Sequence, residues 1–267
     1  MHTYTKMKYK INFSPTGLGD RIKYSIKSIP YLINKDKNLK IYAYWKKNRQ
    51  CHAEFEDLFE NVYNIKFIKT PFSKQEISDN IKEISEKLSL GSQRLHHHKF
   101  PNENAQKVLK LKREIQSEVL DLQKKYSVNK SVIGIHLRVP ENFDFKNPKE
   151  TLNKFPQYAN GRACSLMSNL KKIKESKILK KYKVLLFSDN QELIDRMLVE
   201  YDNFFTIPEC TEIPVDLNLG IGCVIRNKDS VVSAIKSAAL LSLCDYNDTV
   251  KLALTSNFSK IPMWIKI

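Results

Sequence analysis

No run in the 267 residues approaches the roughly 18 consecutive apolar residues that a membrane span requires, so a transmembrane helix is not expected. The first ten residues are polar and basic and lack an apolar h-region; no secretory signal is expected, and a cytoplasmic location is. The five cysteines (Cys51, Cys164, Cys210, Cys223, Cys244) are dispersed, odd in number and never in a CxxC spacing. That excludes a disulfide framework and a structural zinc site and fits a reducing compartment. No DxD metal motif is present: Asp144-Phe145-Lys146 lacks the second acid. His96, His97 and His98 are adjacent, so they cannot all face one ion from a regular element, and they are read as a loop. No metal is expected. There is no internal repeat and no low-complexity linker.

What is present is a globular composition, 42% hydrophobic and 28% charged, with a formal net charge of +16. Such a charge is compatible with nucleic acid, an anionic membrane surface or an anionic small molecule such as a sugar nucleotide. The excess is mostly lysine scattered along helices. Lys, Ile and Asn are abundant together, as AT-rich coding sequence produces without functional demand. Charge alone decides little.

Apolar runs and helical spacings alternate along the chain. In the first half, Lys8–Ser14, Leu39–Trp45 and Asn64–Ile68 read as strands. A helix is expected from near Asp20, with Ile22, Ile26 and Ile29 before Pro30, and another over His52–Phe59. A loop over Gly91–Glu103 precedes one long helix, Asn104–Tyr126. In the second half, strands are expected at Ser131–Leu137, Lys183–Phe187, Asn203–Ile207 and Thr249–Leu254. Helices are expected at Cys164–Lys181, Gln191–Tyr201 and Asp229–Leu243, with a polar loop over Val139–Arg162. Alternating β and α elements imply parallel sheets covered by helices. The fold class is α/β, with two Rossmann-like lobes spanning residues 1–126 and 127–267 and a cleft between them.

Ligands of open α/β sheets bind beyond the carboxyl ends of strands. Three polar clusters fall there: His136 and Arg138; Ser188-Asp189-Asn190; and Thr255 to Ser259. Each also has a plain structural reading, as a surface ion pair, a helix N-cap and a turn. Their shared edge favours a site. A guanidinium offers a permanently charged planar fork to two phosphate oxygens. Placed on a diphosphate, Arg138 would stabilise the charge that grows as a sugar departs. In the first half, Gly17 and Gly19 allow close backbone approach, and Asp20 and Arg21 open a helix whose N-terminus favours anions. Ile22 stands where the dinucleotide fingerprint has its third glycine, so no dinucleotide cofactor is expected.

The ordered set formed by the turn Gly17–Arg21, His136-x-Arg138, Ser188-Asp189 and the run from Asp245 to Ser259 resembles the GT-B fucosyltransferases. These include the core α1,6-fucosyltransferases, the nodulation fucosyltransferases and the protein O-fucosyltransferases. The resemblance implies inverting, metal-independent transfer of L-fucose from GDP-fucose to a glycan hydroxyl, with no cofactor beyond the donor. It implies Arg138 at the β-phosphate, His136 near the nucleoside, Ser256 and Ser259 capping the phosphates, and Asp189 supporting that wall. The turn at Gly17, Gly19 and Asp20 would close over the sugar, and residues 1–126 would meet the acceptor. Glu141, Asp144 and Asp20 are the candidate general bases. Two departures are visible: Val139 follows Arg138 where a second arginine is common, and the guanine-reading acid falls near Lys236-Ser237. Another sugar nucleotide, a basic nucleic-acid-binding protein and a non-catalytic sugar-nucleotide binder stand as alternatives. Peripheral contact with an anionic membrane is compatible with the charge.

Overall fold

The computed structural model describes residues 7–13, 18–48, 50–88, 100–140, 143–148, 150, 157–210, 226–254 and 258–267. Two parallel sheets organise them. In the first, β1 (Lys8–Asn12), β2 (Lys40–Tyr44) and β3 (Lys66–Ile68) lie in the order β1-β2-β3. Alternation along β1 and β2 buries Tyr9, Ile11, Ile41 and Ala43. The outer edge of β1 is closed by side-chain amides: Asn80 accepts from Lys10 N and donates to Lys8 O, each at 2.8 Å. Asn12 makes the same reciprocal pair with Phe72. An open strand edge is thereby covered.

The second sheet has the order β6-β5-β4-β7, with β4 at Ile133–Leu137, β5 at Val184–Ser188, β6 at Phe204–Phe205 and β7 at Asp245–Tyr246. The central strands β4 and β5 are buried on both faces, as their unbroken apolar runs require. Gly134 is needed for close approach: a Cβ there would fall 2.9 Å from both Cys244 Cβ and Leu241 Cδ2. One continuous apolar core runs from Tyr9 in the first sheet through Ile235 and Leu240 to Trp264 and Ile265 near the end of the chain. A second core, around Ile135, Leu166 and Leu186, lies under the other face of β4 and β5.

Several expected elements differ in the structure. The helix from Asp20 is two helices, α1 (Leu18–Ser25) and α2 (Ser28–Lys35). Pro30 does not end the first; it lies in the first turn of the second, where its missing N–H has no helical acceptor. The helix expected at 52–59 narrows to α3 (Phe55–Leu58). A helix not anticipated from the sequence is α4 (Lys74–Lys87), which opens on a capping box between Ser73 and Glu76.

The single long helix 104–126 is also two, α5 (Asn102–Val108) and α6 (Arg113–Tyr126). Between them Leu111 bridges to Phe59, with Glu60 N to Lys110 O at 2.8 Å and Lys112 N to Leu58 O at 3.1 Å. Pairing with a neighbouring segment there outweighs continued helix. The next helix, α7 (Gln157–Glu175), starts and stops earlier than expected, and residues 176–183 form a turn. Helices α8 (Gln191–Glu200) and α9 (Lys228–Leu243) fall where they were expected.

The last strand is not at Thr249–Leu254. The ladder partner of β4 is Asp245–Tyr246, after which Asn247 (φ 59°) and Lys251 (φ 50°) turn the backbone out of extended geometry. Ala253 is then clasped by Asn169, its N donating to Oδ1 at 2.9 Å and its carbonyl accepting from Nδ2 at 3.0 Å. The chain re-enters the site through a 3-10 helix, Phe258–Met263. The His96–His98 cluster and most of the expected loop around it lie outside the described residues.

Candidate functional site

The site forms where β4 and β5 end. Their parallel register sets Leu137 opposite Ser188, so the next residues along each strand, Arg138 and Asp189, emerge side by side. Arg138 Nη1 contacts Asp189 Oδ2 as an ion pair. A second guanidinium, that of Arg226, approaches the same carboxylate oxygen at 3.8 Å. The N–H of Val139 donates to the other oxygen at 3.3 Å. Arg138, Asp189 and Arg226 are 16%, 10% and 22% exposed, so the cluster is largely shielded from solvent but open to a ligand. The adjacent Asn190 performs the local helix duty, accepting from Leu193 N at 2.8 Å as N-cap of α8. Asp189 is therefore not spent on capping.

His136 precedes Arg138 by two residues. Its Nδ1 is 2.9 Å from Ser259 Oγ, and its ring lies 5.1 Å from that of Phe258. Ser259 is fixed in turn by Tyr246, whose hydroxyl donates to the Ser259 carbonyl at 2.6 Å. The same short strand β7 that pairs with β4 thus also anchors the serine that meets the histidine. Burial, and then the positive charges of Arg138 and Arg226, push the imidazole pKa down from 6.5 to about 3. His136 is neutral at physiological pH. Among the described side chains of the cluster, two guanidiniums, one carboxylate and an uncharged histidine sum to +1. The cluster is suited to a polyvalent anion.

The depressed pKa has a measurable sign. Below about pH 6.5 the unfolded chain binds a proton that folded His136 refuses until about pH 3, so stability falls as pH drops through that window. The slope approaches about 1.4 kcal/mol per pH unit for one proton. In denaturant titrations between pH 7 and 4, H136Q is expected to lose less stability than the wild type. Parallel curves would contradict the assignment.

The structure brings together His136, Arg138, Asp189 and Ser259 of the residues expected at the site. Gly17, Glu141 and Ser256 lie outside the described residues, and the side chain of Asp20 is likewise not described. Gly19 is buried in the first turn of α1. Arg21 turns inward, donating to Lys46 O at 2.6 Å with its guanidinium 4.9 Å from the Trp45 ring centre, which makes it a packing residue of the first sheet. Asp144 is exposed and turns back on its own loop, accepting from Lys146 N at 2.7 Å. Among the described residues no group of three or more His, Cys, Asp or Glu side chains is placed to hold a metal ion. No described helix is long and apolar enough to cross a membrane.

Sequence reasoning misses Arg226. Its one signal is electrostatic: it immediately precedes Asn227, the N-cap of α9, where the helix dipole disfavours a cation unless another charge holds it. Phe258 reads in sequence as part of a turn and not as a ring against His136.

A mixed α/β chain with two parallel sheets and its polar cluster at strand ends has the GT-B architecture, and solved structures carry the comparison further. No family model and no curated protein sequence matches the chain. The structure of NodZ α-1,6-fucosyltransferase soaked with GDP-fucose superposes over 97% of this chain and 93% of its own, with a TM-score of 0.55 and 15% identity. The selenomethionine form of fucosyltransferase NodZ from Bradyrhizobium gives a TM-score of 0.53, and NodZ co-crystallised with GDP gives 0.51, each over 95% of this chain at 15% identity. The shared feature is the GT-B fucosyltransferase fold.

Proposed function

We propose that the chain is an inverting, metal-independent glycosyltransferase that moves L-fucose from GDP-fucose to a glycan hydroxyl. The observation that carries this reading is the pair of guanidiniums, Arg138 and Arg226, held on Asp189 beside a neutral His136 at the strand ends of this fold. In the reaction the acceptor oxygen bonds to C1 of the sugar as the bond from C1 to the β-phosphate oxygen breaks. The electron pair of that bond leaves with the diphosphate. Fixed guanidiniums interact more strongly with the departing diphosphate than with the intact donor, which lowers the barrier. The acceptor's proton passes to a base, for which Glu141 and Asp20 are the candidates. Ser259, through its hydrogen bond to Nδ1, would orient the His136 imidazole toward the nucleoside. No cofactor beyond the donor enters this scheme.

The alternative donor, another sugar nucleotide, is favoured by one observation. Ser237, where the resemblance implies an acid reading guanine, is buried and donates to Cys210 O at 2.8 Å. A thermal-shift series with GDP, UDP, dTDP and CDP separates the readings. GDP is expected to raise the melting temperature most, and stabilisation by UDP without GDP would sink the fucosyl assignment.

A further inference from the structure

The opposite end of the second sheet carries a different kind of surface. Residues 171–183, from the last turn of α7 through the turn into β5, contain seven lysines and a single acid, Glu175. Glu175 pairs with Lys171 at 3.9 Å, leaving the other six lysines without a counter-charge inside the segment. All seven are exposed. Two large apolar side chains stand among them: Ile178, 43% exposed, and Tyr182, 49% exposed. Both also line a concavity of about 280 Å³ together with Lys130 and Ile133. Asp245 lines the same concavity, and Lys172 Nζ donates to the Lys251 carbonyl at 3.4 Å. Within residues 171–183 alone, seven lysines against one carboxylate leave a formal charge of +6.

We propose that this face docks peripherally on an anionic phospholipid bilayer. Four to eight clustered basic residues are the density that anionic headgroups attract, and apolar side chains projecting among them can enter the interface beneath. The composition favours lipid over RNA. The segment has no arginine and one aromatic ring, whereas single-stranded nucleic acid is held by arginines and several stacking rings. An exposed isoleucine offers no stacking face but partitions readily into acyl chains. The turn itself is firm: Asn203 Nδ2 donates to the carbonyls of Leu179 and Tyr182, and Lys181 N donates to Ile178 O at 2.9 Å. Ile178 and Tyr182 are therefore presented together.

The patch sits at the amino ends of β4 and β5, and Arg138 and Asp189 sit at the carboxyl ends. Five strand residues separate the two by roughly 17 Å. A docked protein would hold its anion site away from the bilayer, so membrane attachment and site chemistry are separable. This inference does not depend on which donor the site takes.

Sedimentation of the full chain with vesicles tests it. The protein is expected to pellet with phosphatidylcholine vesicles containing about 30 mol% phosphatidylserine and to remain in solution with phosphatidylcholine alone. The triple variant K177E/K180E/K181E is expected to bind at least tenfold more weakly with an unchanged melting temperature. I178S/Y182S is expected to keep binding at low ionic strength and to lose what survives about 0.15 M salt. Equal pelleting with neutral vesicles, or full binding by the charge-reversed variant, would overturn the proposal. Displacement of the wild type from vesicles by a stoichiometric single-stranded RNA oligonucleotide would reassign the face to nucleic acid.

Discussion

Substituting Arg138 by alanine is expected to lower turnover of the sugar nucleotide by about 10²–10³-fold, the effect of removing one preorganised charge that acts on a developing anion. The expectation rests on position. Arg138 is the first residue past the β4 ladder, held by a carboxylate that register brings alongside it, and it remains accessible to a ligand. Removing it does not strand Asp189, because Arg226 stays within 3.8 Å and the Val139 N–H still donates. The fold should therefore survive, and the melting temperature without ligand should change little. R138K would keep the charge and lose the planar fork, placing its turnover between the wild type and R138A. Steady-state kinetics with GDP-fucose, alongside melting curves, decide the matter. Wild-type turnover in R138A would overturn the mechanism.

The second large effect concerns Asp189, and its sign differs between the free and the ligand-bound protein. In D189N the two guanidiniums would lose the carboxylate that both contact. Removing one partner of a shielded ion cluster leaves uncompensated charge. With these groups 10–22% exposed, solvent screening reduces the cost to about 2–3 kcal/mol. A diphosphate would restore the missing negative charge. GDP, or inorganic pyrophosphate, is expected to raise the melting temperature of D189N by more than that of the wild type, where the ligand competes with Asp189 for the same guanidiniums. Turnover should nevertheless fall, because Arg138 loses the partner that orients it. A D189N protein that melts like the wild type, or gains less from GDP, would show that the carboxylate does not hold the cluster together.

The parts of the site that are legible in the sequence share a physical cause. Continuous apolar runs such as Val132–Ile135 and Val184–Phe187 admit little but buried parallel strands, and the polar residues at their ends must then gather at one edge. His136, Arg138 and Asp189 follow from that. Ser259 reaches the site by a different route from the one its sequence suggests. The alternating Thr249–Leu254 looks like a strand, but left-handed residues at Asn247 and Lys251 and the Asn169 clasp commit the backbone elsewhere. Helix α4 has its signals in the capping box and in the spacing of Ile77, Ile81 and Ile84, but charge dominates its surface and masks them. The break in 104–126 has no local signal: it depends on Phe59, far away in sequence, pairing with Leu111. Arg226 is hidden for the same reason, since its partner Asp189 is a tertiary one.

The 3-10 helix that returns Ser259 to His136 leads within a few residues to Trp264, whose indole N–H donates to Asn102 across a separation of 162 residues. Gln106 reaches the Met263 carbonyl over 157. Ile261, Trp264 and Ile265 belong to the same apolar core as Tyr9 and Ile11. During synthesis on the ribosome, the first sheet therefore emerges long before the side chains that complete its core. It must wait, partly uncovered, until nearly the whole of the second sheet has been made. The step that seats Ser259 against His136 and the step that seals the first core are then one late event. Folding intermediates should hold an intact second sheet with Arg138 already beside Asp189, an unfinished first core and an unseated Ser259.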